Sequence, residues 1–194
     1  MYTNMPIFMH RLLVLPGLIL IVISMGLLGC DSSTDPGPDP GDFEGTYVFE
    51  EFIFEIPGTA VRDLDFLEDV LVVSDNTPRM EFFGRNASVD LVYQLEDGRS
   101  RIAGVYSVSG GNQVRLDFSG ASESDLQELL LPTTFSLNVS SGAVRLEAEL
   151  ERTNVNLAQL YPEFYEGLSP VERGILKMRL RRVSENPAAF GYDE

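Results

Sequence analysis

The stretches AVRLEAELER (residues 143–152) and ILKMRLRRV (residues 175–183) decide the fold of this chain. Apolar and charged side chains alternate along both stretches, and in an extended strand every second side chain points to the same face. Leu146, Ala148 and Leu150 thus share one face of the first stretch, opposite a row of glutamates. Each stretch is predicted to form a β-strand with one face buried and the other in water.

The water-facing sides of these two strands carry rows of opposite charge. The rows are Glu147, Glu149 and Glu151 on the first strand and Lys177, Arg179 and Arg181 on the second. If the strands are antiparallel neighbours, the rows meet, and each cross-strand pair contributes about 0.2–1 kcal/mol and helps to set the register. The alternative is that each row simply faces water.

The same alternation recurs through residues 43–183 in short stretches separated by turn residues. Besides the two strands above, strands are predicted near residues 46–56, 79–83, 88–96, 101–108, 112–118 and 133–139. The dipeptides at 97–98 and 141–142, Asp-Gly and Ser-Gly, favour hairpins between strands that are consecutive in sequence. The predicted fold class is mainly β, a single antiparallel up-and-down barrel of about eight strands.

Two short helical insertions are predicted between the strands. Ser122 has the spacing of a helix cap and Pro132 ends that segment, while Asn156 begins the second insertion. The segment 61–74 fits either a helix or a buried strand. The stretch SPVE at residues 169–172 is also typical of a helix start.

The first thirty residues form a different kind of segment. Arg11 precedes an almost uncharged apolar run at residues 12–28, which ends in Gly29 and Cys30. This pattern resembles the lipobox signal peptide of bacterial lipoproteins. The resemblance implies that residues 1–29 are removed by cleavage between Gly29 and Cys30. The alternative is an uncleaved transmembrane anchor, because the run is nearly long enough to cross a hydrocarbon core of about 30 Å.

The lipobox resemblance also implies a lipid anchor and a location. In that family the cysteine receives diacylglycerol and a further acyl chain, and several acyl chains are needed because one chain binds a membrane only marginally. Lipidated Cys30 is therefore expected to hold the protein in a membrane of the bacterial cell envelope, on the periplasmic or the outer-surface side. Residues 30–42 are predicted to be a disordered tether and residues 184–194 a flexible tail.

The charge of the chain excludes several partners. Without residues 1–29 the chain keeps 13 basic and 30 acidic side chains, a net charge of about −17. Such a charge repels nucleic acids, which are not expected as partners. Acid excess with a single lysine, Lys177, fits either a high-salt habitat or ordinary solubility.

The residue types that are missing exclude common catalytic sites. His10 is the only histidine and lies in the leader, and the only cysteine is the one expected to carry lipid. A Ser-His-Asp triad, a Cys-His pair and the usual zinc ligand sets are therefore excluded. The chain is predicted not to be an enzyme and to hold no metal or cofactor. Its oligomeric state stays open.

The opening Gly45-Thr46-Tyr47 and the basic end of the last strand resemble the lipocalin-like barrels found in many bacterial lipoproteins. Lipocalins open with Gly-x-Trp, and the tryptophan stacks under a basic side chain of the last strand. Tyr47 stands in the tryptophan's position, although the chain contains no tryptophan. The resemblance implies a cation–π contact from Arg181 or Arg182 to Tyr47.

Three hypotheses follow for the function, because an eight-stranded barrel is either filled by its own side chains or leaves room for one small ligand. In the first, the barrel binds a small apolar ligand through interior aromatic residues. These residues are Phe52, Phe54, Phe82, Tyr93, Tyr106 and Phe118. In the second, the core is filled and the lipoprotein has a structural or protein-interaction role. In the third, Glu50, Glu51 or Glu55 turns inward and serves a carboxylate-based hydrolase.

Overall fold

The structure is a computed structural model that describes residues 39–73, 78–96, 98–109, 112–140 and 142–188. The predictions for the signal peptide, for Gly29 and Cys30, and for residues 30–38 of the tether lie outside the described residues. Within the described ranges, no helix is both long enough and apolar enough to span a membrane.

The described strands form one antiparallel sheet that closes on itself. The strands are β1 (Gly45–Glu55), β2 (Leu64–Asp65), β3 (Arg79–Phe83), β4 (Ser88–Leu95), β5 (Gly98–Ser109), β6 (Gln113–Asp117), β7 (Thr134–Ser140), β8 (Arg145–Val155) and β9 (Val171–Ser184). The short β2 pairs with β1, and the pairing of β1 with β9 closes the eight longer strands into a barrel. The predicted fold class, a mainly β antiparallel barrel of eight strands, is confirmed.

Short helices connect some of the strands, and they lie where the two helical insertions were predicted. Helix α1 (Glu123–Glu128) lies between β6 and β7, and α2 (Leu157–Leu160) and α3 (Pro162–Tyr165) lie between β8 and β9. The side chain of Asn156 caps α2 by accepting the N–H of Gln159 at 3.2 Å. Ser122 precedes α1 without forming such a cap bond.

Two segments differ from their predictions. The ambiguous segment 61–74 contains the two-residue β2 followed by a π-helical turn, Phe66–Val70, that the side chain of Asp65 caps. The expected helix start at residues 169–172 is wrong, because β9 already begins at Val171, which pairs with Val155. Strand β8 runs beyond its predicted end at residue 152 to Val155, and this longer strand provides the partner for the start of β9.

A β-bulge in β1 decides which side chains enter the barrel. Phe49 pairs with Leu180 while Glu51 pairs with Arg179, so Glu50 is an extra residue in the ladder. The shift turns Phe49 and Phe52 to the same side, where their rings stack with centroids 4.9 Å apart. The prediction that one of the β1 glutamates turns inward is wrong, because the bulge leaves all three on the outer face, in ion pairs with β9.

The two ends of the barrel are covered differently. At the end where β1 begins, the 3₁₀ turn Pro40–Phe43 packs on the barrel, with Phe43 buried and the hydroxyl of Tyr106 donating to the Pro40 carbonyl at 2.7 Å. The last residues of the predicted tether therefore belong to the folded body. The opposite end, here called the helical end, carries α1, α2 and α3, and the hydroxyl of Tyr161 donates to the Glu128 carbonyl there.

Candidate functional site

The six residues predicted to bind a ligand all face the barrel interior, and none is more than 4% exposed. They are Phe52, Phe54, Phe82, Tyr93, Tyr106 and Phe118. Ring contacts are made by four of them: Phe52, Phe82, Tyr106 and Phe118. Phe52 stacks on Phe66 at 4.4 Å, and Phe82 makes edge-on contacts of 5.1 Å with Tyr47 and with Tyr106.

A close backbone approach completes this packing on β9. The inward row of β9 contains Gly174, and a Cβ atom at that position would lie 2.1 Å from the ring of Phe54. Since real Cβ atoms do not approach other atoms so closely, glycine is needed there for the phenylalanine ring to fit. The pair shows that the interior is shaped around its own aromatic side chains.

Tyr47 and Arg182 form the contact that the lipocalin resemblance implied. The two residues are ladder partners of β1 and β9, and the guanidinium carbon of Arg182 lies 5.9 Å from the ring centroid of Tyr47. Arg182 also donates to the carbonyl oxygens of Glu44 and, at 3.4 Å, of Asp42. Burial raises the pKa of Tyr47 to about 12, against the opposing effect of the Arg182 charge.

Arg181, the other candidate for this contact, points to the outer face. Its Nε donates to a carboxylate oxygen of Glu50 at 2.6 Å. Adjacent residues of a strand face opposite sides, so Arg181 and Arg182 cannot both reach the ring of Tyr47. Sequence alone left the choice open because the register of β9 against β1 was not visible in it.

The outer faces of β1, β8 and β9 form a charged face, in which the basic row of β9 lies between two acidic rows. Strands β8 and β9 are antiparallel neighbours, which is the condition under which their charged rows were expected to meet: Glu147 faces Arg179 and Glu149 faces Lys177. The short ion pairs run mainly to β1 instead, where Glu51 lies 2.9 Å from Arg179. Closure of the barrel supplies this second acidic neighbour, and such half-exposed pairs each contribute about 0–1 kcal/mol.

The sequence did not predict the buried polar cluster that lies on the outer side of β3. Glu81 is 1% exposed and accepts hydrogen bonds from the hydroxyl of Thr46 at 2.6 Å and from the N–H of Ala188 at 2.9 Å. The Nε of Arg79 donates to its other oxygen. Alternation placed Arg79 and Glu81 on the wet side, but the returning chain after β9 covers them. The first residues of the predicted tail are thus packed on the barrel.

Clefts occur on the outside of the barrel and at its ends. One cleft of about 450 Å³ lies on the charged face beside Glu147 and Lys177. A second, of about 590 Å³, lies at the helical end between Asp69, Glu163 and the half-exposed ring of Phe164. A third, of about 260 Å³, contains Arg152. None of the six interior aromatic residues lines these three clefts.

Comparisons of the chain with models of protein families, with curated proteins and with solved structures find no match. Among the residues that the structure describes, no group of three or more histidine, cysteine, aspartate or glutamate side chains is placed to hold a metal ion. The function must therefore be inferred from the sequence pattern of residues 1–30, the buried aromatic residues and the clefts.

Proposed function

We propose that this chain is a lipoprotein of the bacterial cell envelope, anchored through lipidated Cys30, and that its barrel acts through its outer surface rather than by carrying an apolar molecule inside. The observation that carries the second part is the packing of the interior. The six aromatic residues that would have lined a ligand cavity are almost completely buried. Four of them, Phe52, Phe82, Tyr106 and Phe118, contact other core rings.

The dimensions of ligand sites support a filled core. A pocket for a small molecule has a volume of about 300–1,000 Å³. An opening of that size in the interior would separate stacked pairs such as Phe52 and Phe66, whose ring centroids are 4.4 Å apart. When a small barrel fills its interior with its own side chains, the rings inside it pack closely, as they do here.

The lipid anchor rests on the lipobox pattern and is tested by labelling. The full chain and its Cys30→Ser variant are expressed in a bacterium that receives labelled palmitate, with Ser33→Ala as a matched control. The unchanged chain and the control are expected to carry label, to lack residues 1–29 and to fractionate with membranes, whereas Cys30→Ser carries no label. A chain with its upstream sequence intact, or with an unmodified cysteine, would contradict the proposal.

A second experiment tests the other part of the proposal, that the interior of the barrel carries no apolar molecule. Residues 31–194 are titrated with a fluorescent fatty acid and compared with a Phe52→Trp variant, which has less interior space. No saturable binding is expected for either protein. Saturable binding that Phe52→Trp abolishes would show that the barrel is a carrier, because the larger side chain can block only a ligand held inside.

A further inference from the structure

Arg152 lies at the helical end of the barrel, where β8 approaches α1 and α2. It belongs to the inward row of β8 that begins with Leu146 and Ala148, both of which are buried. Its ladder partner on β9 is Gly174. An arginine therefore occupies a row whose other members form the core.

The guanidinium group of Arg152 is partly buried without compensation. Its Nε is buried and has no hydrogen-bond partner among the described residues. Burial also lowers the pKa of Arg152, because the charged form loses solvation. The Nε of Arg182, at the other end of the barrel, is also buried without a partner, but the terminal nitrogens of Arg182 donate to two carbonyl oxygens and its guanidinium lies over Tyr47. The guanidinium of Arg152 makes no such contacts with the described residues. An uncompensated cation destabilises a fold, and such groups are typical of binding sites.

The cleft around Arg152 has a composition unlike the rest of the chain. Its polar lining consists of carboxamides and one hydroxyl group, and its other lining residues are apolar. These polar residues are Gln127, Thr153, Asn154, Asn156 and Gln159. No carboxylate lines the cleft, although the chain has 30 acidic residues. The single charge of the lining is therefore positive.

Hydrogen bonds within the lining fix part of this geometry. Asn156 accepts the backbone N–H of Gln159 at 3.2 Å, and its amide group donates to the side-chain oxygen of Gln159 at 3.3 Å. These bonds hold both side chains at the start of α2. The bond from Asn156 uses the side-chain oxygen of Gln159. The side-chain N–H groups of Gln159 take no part in these bonds and can donate to other acceptors.

We propose that this cleft binds a small hydroxylated carboxylate, of the size of a sugar acid. The guanidinium of Arg152 receives the carboxylate, and the carboxamides of Asn154 and Gln159 bond to hydroxyl groups. A guanidinium matches a carboxylate with two parallel hydrogen bonds. A monoanion is favoured over a dianion because one positive charge neutralises it and the surrounding protein is strongly acidic. The cleft volume of about 260 Å³ lies just below the range of about 300–1,000 Å³ for drug-sized ligands, which suits a smaller ligand with one sugar ring.

Thermal unfolding of the full-length protein tests this binding. D-glucuronate is the probe, with D-glucose and inorganic phosphate as comparisons, because ligand binding to the folded state raises the Tm. Glucuronate is expected to raise the Tm saturably, and Arg152→Gln to weaken its binding at least about tenfold, since the variant removes the charge-assisted hydrogen bonds to the carboxylate. Arg173→Gln is the matched control: it removes the same charge from the outer face of β9, where Arg173 pairs with Glu151 at 2.7 Å.

The control is expected to bind glucuronate within about twofold of the unchanged protein, because exposed charges are screened by salt. Several results would overturn the proposal: no shift with glucuronate, an equal shift with glucose, a larger shift with phosphate, or unchanged binding by Arg152→Gln. The outcome does not depend on lipidation of Cys30, so it can fail while the proposed anchor stands.

A second variant separates a binding role from a structural one. Arg152→Met replaces the cation by an apolar side chain of similar length, and without ligand its Tm is expected to rise by about 2–4 °C. A fall in Tm would show that the guanidinium stabilises the barrel and would overturn the proposal.

Discussion

Replacement of Phe52 by alanine tests whether the interior aromatic residues pack a core or line an open pocket. Phe52 is fully buried, between the ring of Phe49 at 4.9 Å and that of Phe66 at 4.4 Å. Removal of a buried phenylalanine ring costs about 3–5 kcal/mol, because transfer free energy is lost and a cavity remains. Domains unfold with about 5–15 kcal/mol, so the variant loses a large part of its stability.

The assay is urea unfolding followed by circular dichroism, together with the Tm. For a chain of this size the Tm of Phe52→Ala is expected to fall by about 6–20 °C. Phe164→Ala is the matched control, since this ring on α3 is 41% exposed, and it is expected to lose less than about 1 kcal/mol. A loss for Phe52→Ala no larger than that of the control would refute the reasoning, because truncating a side chain at an open cavity removes few contacts.

Three further changes test other contacts. Gly174→Ala forces a Cβ into the ring of Phe54, 2.1 Å away, and is expected to cost about 1–3 kcal/mol in urea unfolding; an unchanged midpoint would contradict that packing. Glu81→Gln leaves buried partners without their carboxylate and is expected to cost about 3–5 kcal/mol, whereas exposed Glu151→Gln is expected to cost less than about 1 kcal/mol. Equal losses would show that the cluster around Glu81 is solvated. The folded-state pKa of Tyr47, about 12, exceeds the unfolded value of 10.0, so the unfolded chain loses this proton first. Its contribution is complete below pH 10 and is lost as pH rises towards 12, and Tyr47→Phe is expected to flatten that part of the stability curve; an unchanged alkaline slope would contradict the burial of the hydroxyl.

The sequence predicted the barrel strands well because most of them have one wet face. Alternation placed β8 and β9 within a few residues of their observed bounds, and their opposite charges were expected to meet if the two strands were neighbours, as they are. The start of β9 was missed because Pro170 and Glu172 imitate a helix cap. Local spacing cannot show that Val155 is available as a ladder partner for Val171.

The features that position the candidate sites depend on contacts between distant residues. The bulge turns Glu50 to the outer face, where Glu51 and Glu55 also lie, and nothing in the sequence of that strand marks it. Alternation alone would leave Glu81 exposed on the outer face, but the segment that contains Ala188 covers it. Alternation already puts Arg152 on the face of Leu146, Ala148 and Leu150, but the cleft around it is formed by residues of other elements, such as Gln127 and Gln159, which the sequence of the strand does not show.

The most direct test of a filled interior compares the native and denaturing masses of residues 31–194, produced in a bacterium without the leader. The two masses are expected to be equal, because the interior of the barrel is occupied by its own aromatic side chains. A native mass that exceeds the denaturing mass by that of one apolar molecule would contradict the account and would make the barrel a carrier.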